Sequence, residues 1–230
     1  MTELMGETVT ASLTTEPIEQ AADTPGQALL RRVRAGRNKD FDRLVFDFDG
    51  PVPGVNVQYV PELTEDGSGD PIPLRGRAVV QIVMQPAVAH HEDGTPSVTG
   101  PPPDVTGFAA FRQVADAGDF EAVLTWGIGV AARTGLRATR LTGPSRVAVD
   151  VVHAEPGTGN QLLRRGDVGA AVATWQWRLV QALDRQLAVD EDFGPVTEDA
   201  TRDFQRAHGL TVDGIVGPAS RAAMRRVLGL

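Results

Sequence analysis

The chain has 230 residues, of which 41% are hydrophobic and 23% are charged, and its formal net charge is −8. This length fits one large domain or two small ones. The absence of cysteine excludes disulfides, thiolate zinc sites and a cysteine nucleophile. No segment approaches the roughly 20 apolar residues of a membrane span, and no block is strongly basic, so neither a membrane span nor a nucleic-acid partner is expected.

The N-terminal segment 1–27 carries five acidic residues, two prolines and no basic residue, without a periodic apolar pattern. This composition predicts a disordered acidic tail, and the alternative is a short strand that joins the following domain. The segment lacks the basic start and apolar core of a secretory signal. The expectation is therefore a signal that was trimmed, or a protein that stays inside the cell or leaves by another route.

From Leu29 the pattern indicates β-strands. The runs LLRRVRAG and FDRLVFDFDG flank a turn at 36–40, and in the second run Leu44, Phe46 and Phe48 share one face. Further strands are predicted for VNVQYV, for AVVQIVMQ (78–85), for EAVLTWGIGV (121–130) and for RVAVDVV (146–152). One short helix is predicted over 106–117. Residues 28–153 are therefore expected to form an all-β domain, a sandwich or partly open barrel with one short helix.

Residues 154–160 (AEPGTGN) read as a linker, and after them the apolar period changes to that of helices. Asp167 is the expected N-cap of the first helix, and two further helices are expected to begin at Pro195 and Pro218. Residues 161–230 should form a small all-α domain of three helices. The apolar stripes that predict its core are Val168, Val172, Trp175, Leu179 and Leu183, then Ala200, Phe204 and Ala207, then Met224, Val227 and Leu228.

A repeated turn precedes the second and third helices. The sequences VDEDFGP and VDGIVGP begin 23 residues apart, and each places Gly-Pro at the start of a helix. Asp190 and Asp213 can accept backbone N–H groups in such turns. Phe193 and Val216 are expected to pack into a shared core. The repeat thus predicts two helices that begin in the same way.

The helical segment closely resembles the three-helix peptidoglycan-binding domain of many cell-wall hydrolases and transpeptidases. The resemblance spans 161–229 and rests on residues that include Leu163, Gly166, Gly169, Val172, Gln176, Leu179, Phe193, Gly194, Pro195, Thr197, Ala200, Phe204, Gln205, Gly209, Leu210, Asp213, Gly214, Gly217 and Pro218. The chain departs from the family pattern at Trp175 (usually Leu), Glu191 (usually Gly), Thr201 (usually Val) and Ser220 (usually Thr). The loss of glycine at Glu191 is expected to alter the first turn.

The β-segment resembles the AMIN-like domain of actinobacterial envelope proteins over about 28–153. The motifs that carry this resemblance are VRAGRNKDFDRLVFDFDG, PGVNVQYV, AVAHHEDGTPSVTGP and SRVAVDVVH. The two resemblances together imply recognition of the cell wall and a location in the cell envelope or outside the cell.

The resemblance to a wall-binding domain makes six residues candidate ligand contacts. Aromatic faces suit sugar rings, and guanidinium groups suit stem-peptide carboxylates. Trp177 lies about 200° around its helix from Trp175 and is a candidate platform; the alternative is packing against the other domain or the tail. The remaining candidates, each with a structural alternative as a solvated surface residue or a turn-former, are Arg178, Asp190, Arg202, Arg206 and Asp213.

Neither catalysis nor a metal site is expected. The run AHHEDG contains His90, His91, Glu92 and Asp93, but successive side chains at a strand end point in opposite directions, so a polar hairpin tip is favoured. The chain contains no HExxH or GxSxG motif, and acidic pairs such as Asp47 and Asp49 face outward as easily as into a cleft.

The sequence thus predicts a non-catalytic peptidoglycan-binding protein without a cofactor, whose β-domain adds a second contact with the wall or with a partner protein. The alternative is a scaffold protein, such as a component of a phage or contractile injection particle, that uses the same domains to dock to an envelope or particle protein.

Overall fold

The computed structural model of the protein describes residues 13–230, which form a β-sandwich followed by a three-helix unit. The strands are β1 (Ile18–Gln20), β2 (Ala28–Arg37), β3 (Phe41–Asp49), β4 (Gly54–Val60), β5 (Leu63–Thr64), β6 (Pro71–Ile72), β7 (Ala78–Gln85), β8 (Ala87–Val88), β9 (Phe111–Phe120), β10 (Val123–Val130), β11 (Leu136–Leu141) and β12 (Arg146–Val152). The helices are α1 (Ala170–Leu183), α2 (Pro195–Ala207) and α3 (Pro218–Leu228). None of these three helices is long and apolar enough to cross a membrane.

Two five-stranded sheets form the sandwich. Their strand orders are β1-β4-β7-β10-β9 and β11-β12-β3-β2-β8, and a separate hairpin joins β5 to β6. Because alternate residues of each strand face inward, side chains of both sheets meet in one core. The alternation predicted for Leu44, Phe46 and Phe48 is confirmed, since all three are buried there. The predicted two-domain class, all-β and then all-α, is confirmed as well.

The N-terminal segment departs from the expected disordered tail over its described part. Ile18–Gln20 pairs with Val55–Val57 at the edge of the first sheet, and Thr14 exchanges two backbone hydrogen bonds with Leu136. An edge strand offers unpaired backbone groups that a short extended segment can satisfy. The alternative of a joining strand is thus correct for these residues, and residues 1–12 lie outside the described part of the chain.

The helix predicted over 106–117 is wrong, because β9 occupies most of this segment. Two register shifts against β10 leave Arg112 and Ala117 without a direct partner, as in β-bulges. The extra residues change the spacing of buried positions from two to three, so that Phe111, Val114 and Ala117 are all buried. A spacing of three imitates the inner face of a helix, and the β-domain, described throughout from residue 18 to residue 152, has no helix.

The linker 154–160 is attached to the helical unit rather than free. The side chain of Arg221 on α3 is buried, and its guanidinium donates hydrogen bonds to the carbonyls of Gln161 (2.6 Å) and Gly159. Pro156 and Gly157 are buried as well. The buried guanidinium of Arg221 therefore fixes the path of the chain between the two domains through hydrogen bonds to backbone carbonyls.

The core of the helical unit contains most of the predicted residues. Trp175, Phe193, Phe204 and Met224 are fully buried in one cluster with Val216. The predicted core position is wrong for three residues. Val168 lies before α1 begins and is exposed, and Ala207 and Val227 face solvent near the ends of their helices.

The predicted N-cap of the first helix is also wrong. Gly169 is the N-cap residue of α1, at a φ of 115° that favours glycine. Asp167 instead accepts the backbone N–H of Arg164 at 2.8 Å and so closes the preceding turn.

The two domains contact each other along α1. The indole N–H of Trp177 donates to the carbonyl of Asn38 at 2.8 Å, in the turn between β2 and β3. The guanidinium of Arg37 lies 4.8 Å from the centre of a Trp177 ring. Because Gln181 also donates to the carbonyl of Lys39 at 3.3 Å, one face of α1 is anchored to a single β-turn.

Candidate functional site

Two buried glutamines each hold one of the repeated turns. The Nε2 group of Gln176 on α1 donates to Asp190 Oδ1 at 2.7 Å, to the carbonyl of Asp192 at 2.8 Å and to Thr197 Oγ1 at 3.0 Å. Its Oε1 accepts the backbone N–H of Asp190 at 3.0 Å. Gln176 is 1% exposed, so these bonds satisfy polar groups that have no access to water.

Gln205 on α2 repeats this arrangement for the second turn. Its Nε2 group donates to Asp213 Oδ1 at 2.7 Å, to the carbonyl of Ile215 at 2.9 Å and to Ser220 Oγ at 3.3 Å, while its Oε1 accepts the N–H of Gly214 at 2.8 Å. Ser220 therefore occupies the place that Thr197 has in the first copy. The unusual serine keeps the hydroxyl that the turn uses.

Asp190 and Asp213 act as turn-formers in the structure. Each Oδ1 also accepts the backbone N–H two residues further on, at 3.1 Å for Asp192 and at 2.9 Å for Ile215. Both aspartates are exposed residues, so each carboxylate is accessible to solvent as well as bonded within its turn. Their role as ligand contacts remains a prediction.

The two copies of the turn differ in their surroundings. Glu191 follows Asp190 and adopts a φ of 69°, a left-handed conformation that costs a residue with a side chain about 1 kcal/mol or more. Its carboxylate accepts a hydrogen bond from Arg112 of the β-domain at 2.6 Å. The corresponding residue of the second copy is Gly214, which adopts the same conformation at a φ of 75°. The first turn therefore faces the β-domain.

The second turn lines an open groove of about 250 Å³. The side chains of Leu162, Leu210 and Ile215 form an apolar wall, and Asp213 together with Ser220 supplies oxygen atoms. The guanidinium of Arg202 lies beside the turn, since its Nε is 3.2 Å from the position that a Cβ of Gly214 would take. Acceptors, an apolar wall and a nearby cation together suit a ligand with hydroxyl, amide and carboxylate groups.

Trp177 lies in a second and larger groove, between the domains. This groove of about 790 Å³ is lined by Trp177 and Arg37 and by the segment that follows α1, which includes Arg185 and Leu187. The ring of Trp177 is half-buried, and its N–H group is already bonded to Asn38. The observed contacts match the alternative of packing against the other domain, and a ligand platform remains a prediction for the part of the ring that is still exposed.

The three candidate arginines have separate surroundings. Arg178 is 2% exposed and pairs with Glu155 of the linker at 3.2 Å, so its guanidinium faces the chain and not the solvent. Arg202 pairs with Glu198 at 2.8 Å, and Arg206 pairs with Asp203 at 2.8 Å. The structure thus brings Arg202 close to the turn of Asp213 and places Arg206 one turn further along the exposed face of α2, where Asp203 also pairs with Arg185.

The sequence did not reveal the roles of Gln176 and Gln205, or that of Arg112. Both glutamines belong to the family pattern, and their helical spacing from apolar core residues was the available signal. Arg112 was hidden because its partner Glu191 lies 79 residues away in the chain. Long-range side-chain pairs of this kind have no local pattern.

Three polar residues of the β-domain that the sequence singles out, Asp47, Asp49 and His90, each pair with a neighbouring side chain. Asp47 accepts two hydrogen bonds from Arg34 across neighbouring strands, and the pKa of its carboxyl is lowered mainly by these bonds. Asp49 pairs with Arg31 at 3.4 Å. In the AHHEDG run, His90 Nδ1 lies 2.5 Å from Asp119 Oδ2. Within residues 13–230, no three or more histidine and acidic side chains are grouped as they would be to hold a metal ion.

Comparison with known families gives two matches in succession. The family described as the AMIN-like domain matches residues 28–153, and the putative peptidoglycan binding domain matches residues 168–224. The first match spans more than half of the chain. Its range coincides with the β-domain, and the second range covers all but the edges of the helical unit.

Two bacterial relatives and two solved structures are similar to parts of the chain. A zinc D-Ala-D-Ala carboxypeptidase of Streptomyces albus G is 43% identical over 65 residues, which are 27% of this chain and 26% of the enzyme, so the chain spans about a quarter of that relative. A Kitasatospora aureofaciens protein, described as uncharacterized and encoded in the bpoA1 3′ region, is 36% identical over 103 residues, which are 44% of this chain and 81% of that protein.

The first structure is the N-terminal domain of SleB, with 33% identity over 31% of this chain and 99% of the domain, at a TM-score of 0.30. The second is a peptidoglycan-binding protein from Clostridioides difficile, with 16% identity over 80% of this chain and 72% of that chain, at a TM-score of 0.29.

Proposed function

Because the chain belongs to the AMIN-like domain family and carries a peptidoglycan-binding domain after that domain, we propose that it is a non-catalytic peptidoglycan-binding protein of the cell envelope. The helical unit makes the principal contact with the wall. The β-domain makes a second contact, with the wall or with an envelope partner, and two contacts on one chain increase avidity when both reach the same mesh. The family match over 168–224, together with its intact glutamine-held turns, is the observation that carries this proposal.

The groove beside the second turn is the proposed site of wall contact. The two turns are built alike, but Glu191 of the first is paired with the β-domain, whereas the second turn opens onto the groove. Its apolar wall fits the methyl groups of stem-peptide alanines or the face of a sugar ring, and Asp213 can accept N–H or O–H groups. In this proposal Arg202, which lies beside the turn, exchanges its pairing with Glu198 for a stem-peptide carboxylate, and Arg206 offers a second guanidinium one turn further along α2.

Trp177 and Arg178 receive structural roles in this proposal. Both lie on α1, and their polar groups are bonded to the β-domain and to the linker, respectively. Their contribution to wall binding is then indirect, since they set the orientation of the helical unit relative to the β-domain. Asp190 likewise supports the first turn, and its substitution should alter domain contact before it alters affinity for the wall.

Sedimentation with purified sacculi tests the proposal, with two alanines of α3 as matched sites. Ala219 is exposed and lines the groove, while Ala222 is exposed on the same helix and does not line it. Wild-type protein and Ala222→Trp should sediment alike at physiological salt, and Ala219→Trp should sediment about tenfold less because its indole fills the groove. Failure of the wild-type chain to sediment overturns the proposal. Equal sedimentation of the two variants would mean that the groove is not the site of wall contact.

The non-catalytic part of the proposal has a separate assay. One relative is a carboxypeptidase, so the informative products are D-alanine, new amino groups and new reducing ends released from sacculi. The full chain should release none of these above a heat-inactivated sample during prolonged incubation with and without added zinc. Release of D-alanine in proportion to protein concentration would show that the chain is an enzyme.

A further inference from the structure

A groove that the helical unit does not line opens along one side of the β-sandwich. Its volume is about 560 Å³, and its walls come from β2, from β9 and from the segment 96–103, which contains three consecutive prolines. β9 is the edge strand of the first sheet, and β2 is covered only by the two-residue strand β8 in the second. The groove therefore lies at the seam where the two sheets separate.

Trp126 on β10 lines this groove, and its indole N–H group has no hydrogen-bond partner among residues 13–230. The residue is 4% exposed, and its Nε1 atom is buried without an acceptor in the part of the chain that the structure describes. The other two indoles both have acceptors, Thr201 for Trp175 and the carbonyl of Asn38 for Trp177. A buried donor without a partner is costly, so an acceptor on a ligand would stabilise this site.

Two carboxylates stand next to this indole. Asp116, an exposed residue, lies directly opposite Trp126 in the antiparallel pairing of β9 with β10, and Asp119, which is partly buried, lies opposite Leu124. Asp119 Oδ2 accepts the N–H of Ala89 at 2.8 Å and contacts His90, but its Oδ1 is buried without a partner. Asp119 Oδ1 therefore lacks a donor, just as the N–H group of Trp126 lacks an acceptor.

The surroundings of Asp116 make its negative charge less favourable than that of a free aspartate. Enclosure by neighbouring atoms raises the pKa of this carboxyl, and repulsion by Asp119 and Asp66 adds to the effect. A positively charged group between the two carboxylates would relieve this repulsion. A cationic group is thus the donor that this wall of the groove suits best.

The opposite wall carries positive charge. Arg31 and Arg32 of β2 line the groove and are exposed, although Arg31 also pairs with Asp49 at 3.4 Å. A simple cation would be repelled by these arginines, and a simple anion would be repelled by the two aspartates. A ligand with both charges a short distance apart meets a complementary group on each side.

We propose that this groove binds the ammonium–carboxylate head group of an amino acid. The ammonium group lies against Asp116 and Asp119, and the carboxylate lies towards Arg31 and Arg32 and accepts the N–H of Trp126. Such a head group occurs in free amino acids and at an unlinked end of a stem-peptide diamino acid. The inference does not depend on wall binding by the helical unit, because none of the residues that line the groove belongs to that unit.

Indole N–H signals of the ¹⁵N-labelled full chain give a direct test. The chain has three tryptophans, and Trp126→Phe identifies the signal of interest. Titration with D- or L-alanine should shift the Trp126 signal to saturation and leave those of Trp175 and Trp177 in place. N-acetylalanine, which lacks the ammonium group, and alanine amide, which lacks the carboxylate, should each bind at least about tenfold more weakly.

Two variants and a second probe complete the experiment. Asp116→Asn should weaken alanine binding at least about tenfold, whereas Glu62→Gln, an exposed carboxylate outside the groove, should leave it unchanged. A stem tripeptide with an unlinked diamino-acid end distinguishes the sources, since tighter binding than that of alanine assigns the site to peptidoglycan and equal binding assigns it to free amino acids. The proposal is overturned if no probe shifts the Trp126 signal saturably, or if the blocked alanines bind as well as alanine.

Discussion

Arg112 of the β-domain and Glu191 of the helical unit form an ion pair of 2.6 Å between side chains that lie 79 residues apart. Glu191 occupies a left-handed position, where the second copy of the turn has Gly214. The guanidinium of Arg112 is also held by the carbonyls of Phe108 and Phe111 at 2.9 and 2.6 Å. A residue that is unfavourable for the turn itself is thus explained by its contact with the other domain.

The first prediction concerns Glu191→Gly. The variant removes left-handed strain of about 1 kcal/mol and loses a partly exposed ion pair worth about 0.2–1 kcal/mol, so the free energy of unfolding of the helical unit should stay the same or rise slightly. The contact between the domains should weaken. Small-angle scattering should show a larger radius of gyration, and limited proteolysis should cut faster within 154–160.

Glu191→Gln serves as the control for this variant. It keeps the strained backbone and the side-chain length but removes the charge, so it should loosen the domains without any gain in stability. If Glu191→Gly gives the same scattering curve and cleavage rate as the wild type, the ion pair does not hold the domains together.

Trp177→Ala should lower stability and uncouple the domains. The substitution removes a half-buried ring, the hydrogen bond to Asn38 and the stacking of Arg37, which together are worth about 2–3 kcal/mol. Calorimetry should show the melting transition move to a lower temperature or separate into two. Phe120→Ala, which removes a ring that is 57% exposed, should change the melting temperature little. Weaker sedimentation with sacculi at an unchanged melting temperature would instead make Trp177 a ligand platform.

The sequence predicted the elements whose residues follow a local period. The alternation in β3 and the Gly-Pro starts of α2 and α3 required no distant information. β9 was missed because bulges at Arg112 and Ala117 changed its buried spacing from two residues to three. The orientation of α1 was likewise unpredictable, because a single β-turn at Asn38 supplies the acceptor for Trp177 and no pattern near either residue records it.

Of the candidate site, the sequence identified the two aspartates of the turns but not their surroundings. Asp190 and Asp213 occur in nearly the same local sequence, which does not show what each turn faces. In the structure the first turn meets Arg112 of the β-domain, and the second lines a groove that the helical unit forms by itself. The two copies differ in their tertiary contacts. In the sequence, this difference is indicated only by Glu191, which stands where glycine is usual.

A pH-dependent prediction follows from Asp47. The hydrogen bonds from Arg34 lower the pKa of this carboxyl in the folded state, so the ionised form stabilises the fold. This stability is present above the unfolded pKa, near 3.9, and is lost as the pH falls through the lower folded value. Asp47→Asn should therefore cost about 0.5–1 kcal/mol at pH 7 and progressively less as the pH falls below about 3.9, as measured by urea denaturation at each pH.

Asp49→Asn provides the comparison for Asp47. Its side chain is 69% exposed, and its single contact with Arg31 is longer, at 3.4 Å. Its removal should cost less than that of Asp47 at pH 7. A penalty for Asp47→Asn that stays constant between pH 7 and pH 2 would mean that the charge of the carboxylate is not what stabilises the strand pair.

The last prediction concerns two departures from the family pattern that depend on each other. The indole N–H of Trp175, where leucine is usual, donates to the hydroxyl of Thr201, where valine is usual, at 3.0 Å. Both residues are fully buried. Thr201→Val restores the usual residue but leaves the indole without an acceptor, so it should destabilise the protein by about 1–3 kcal/mol in urea unfolding.

Thr174→Val is the matched control for Thr201→Val. Each hydroxyl is buried and bonds to the carbonyl four residues earlier in its own helix, at 3.0 Å for Thr174 and at 2.8 Å for Thr201. Because Thr201 alone also serves an indole, the difference between the two penalties measures the cost of the orphaned N–H group. Adding Trp175→Phe to Thr201→Val removes that donor and should lessen the further loss. Equal penalties for the two valine variants, with strictly additive effects in the double variant, would show that the pair is not coupled.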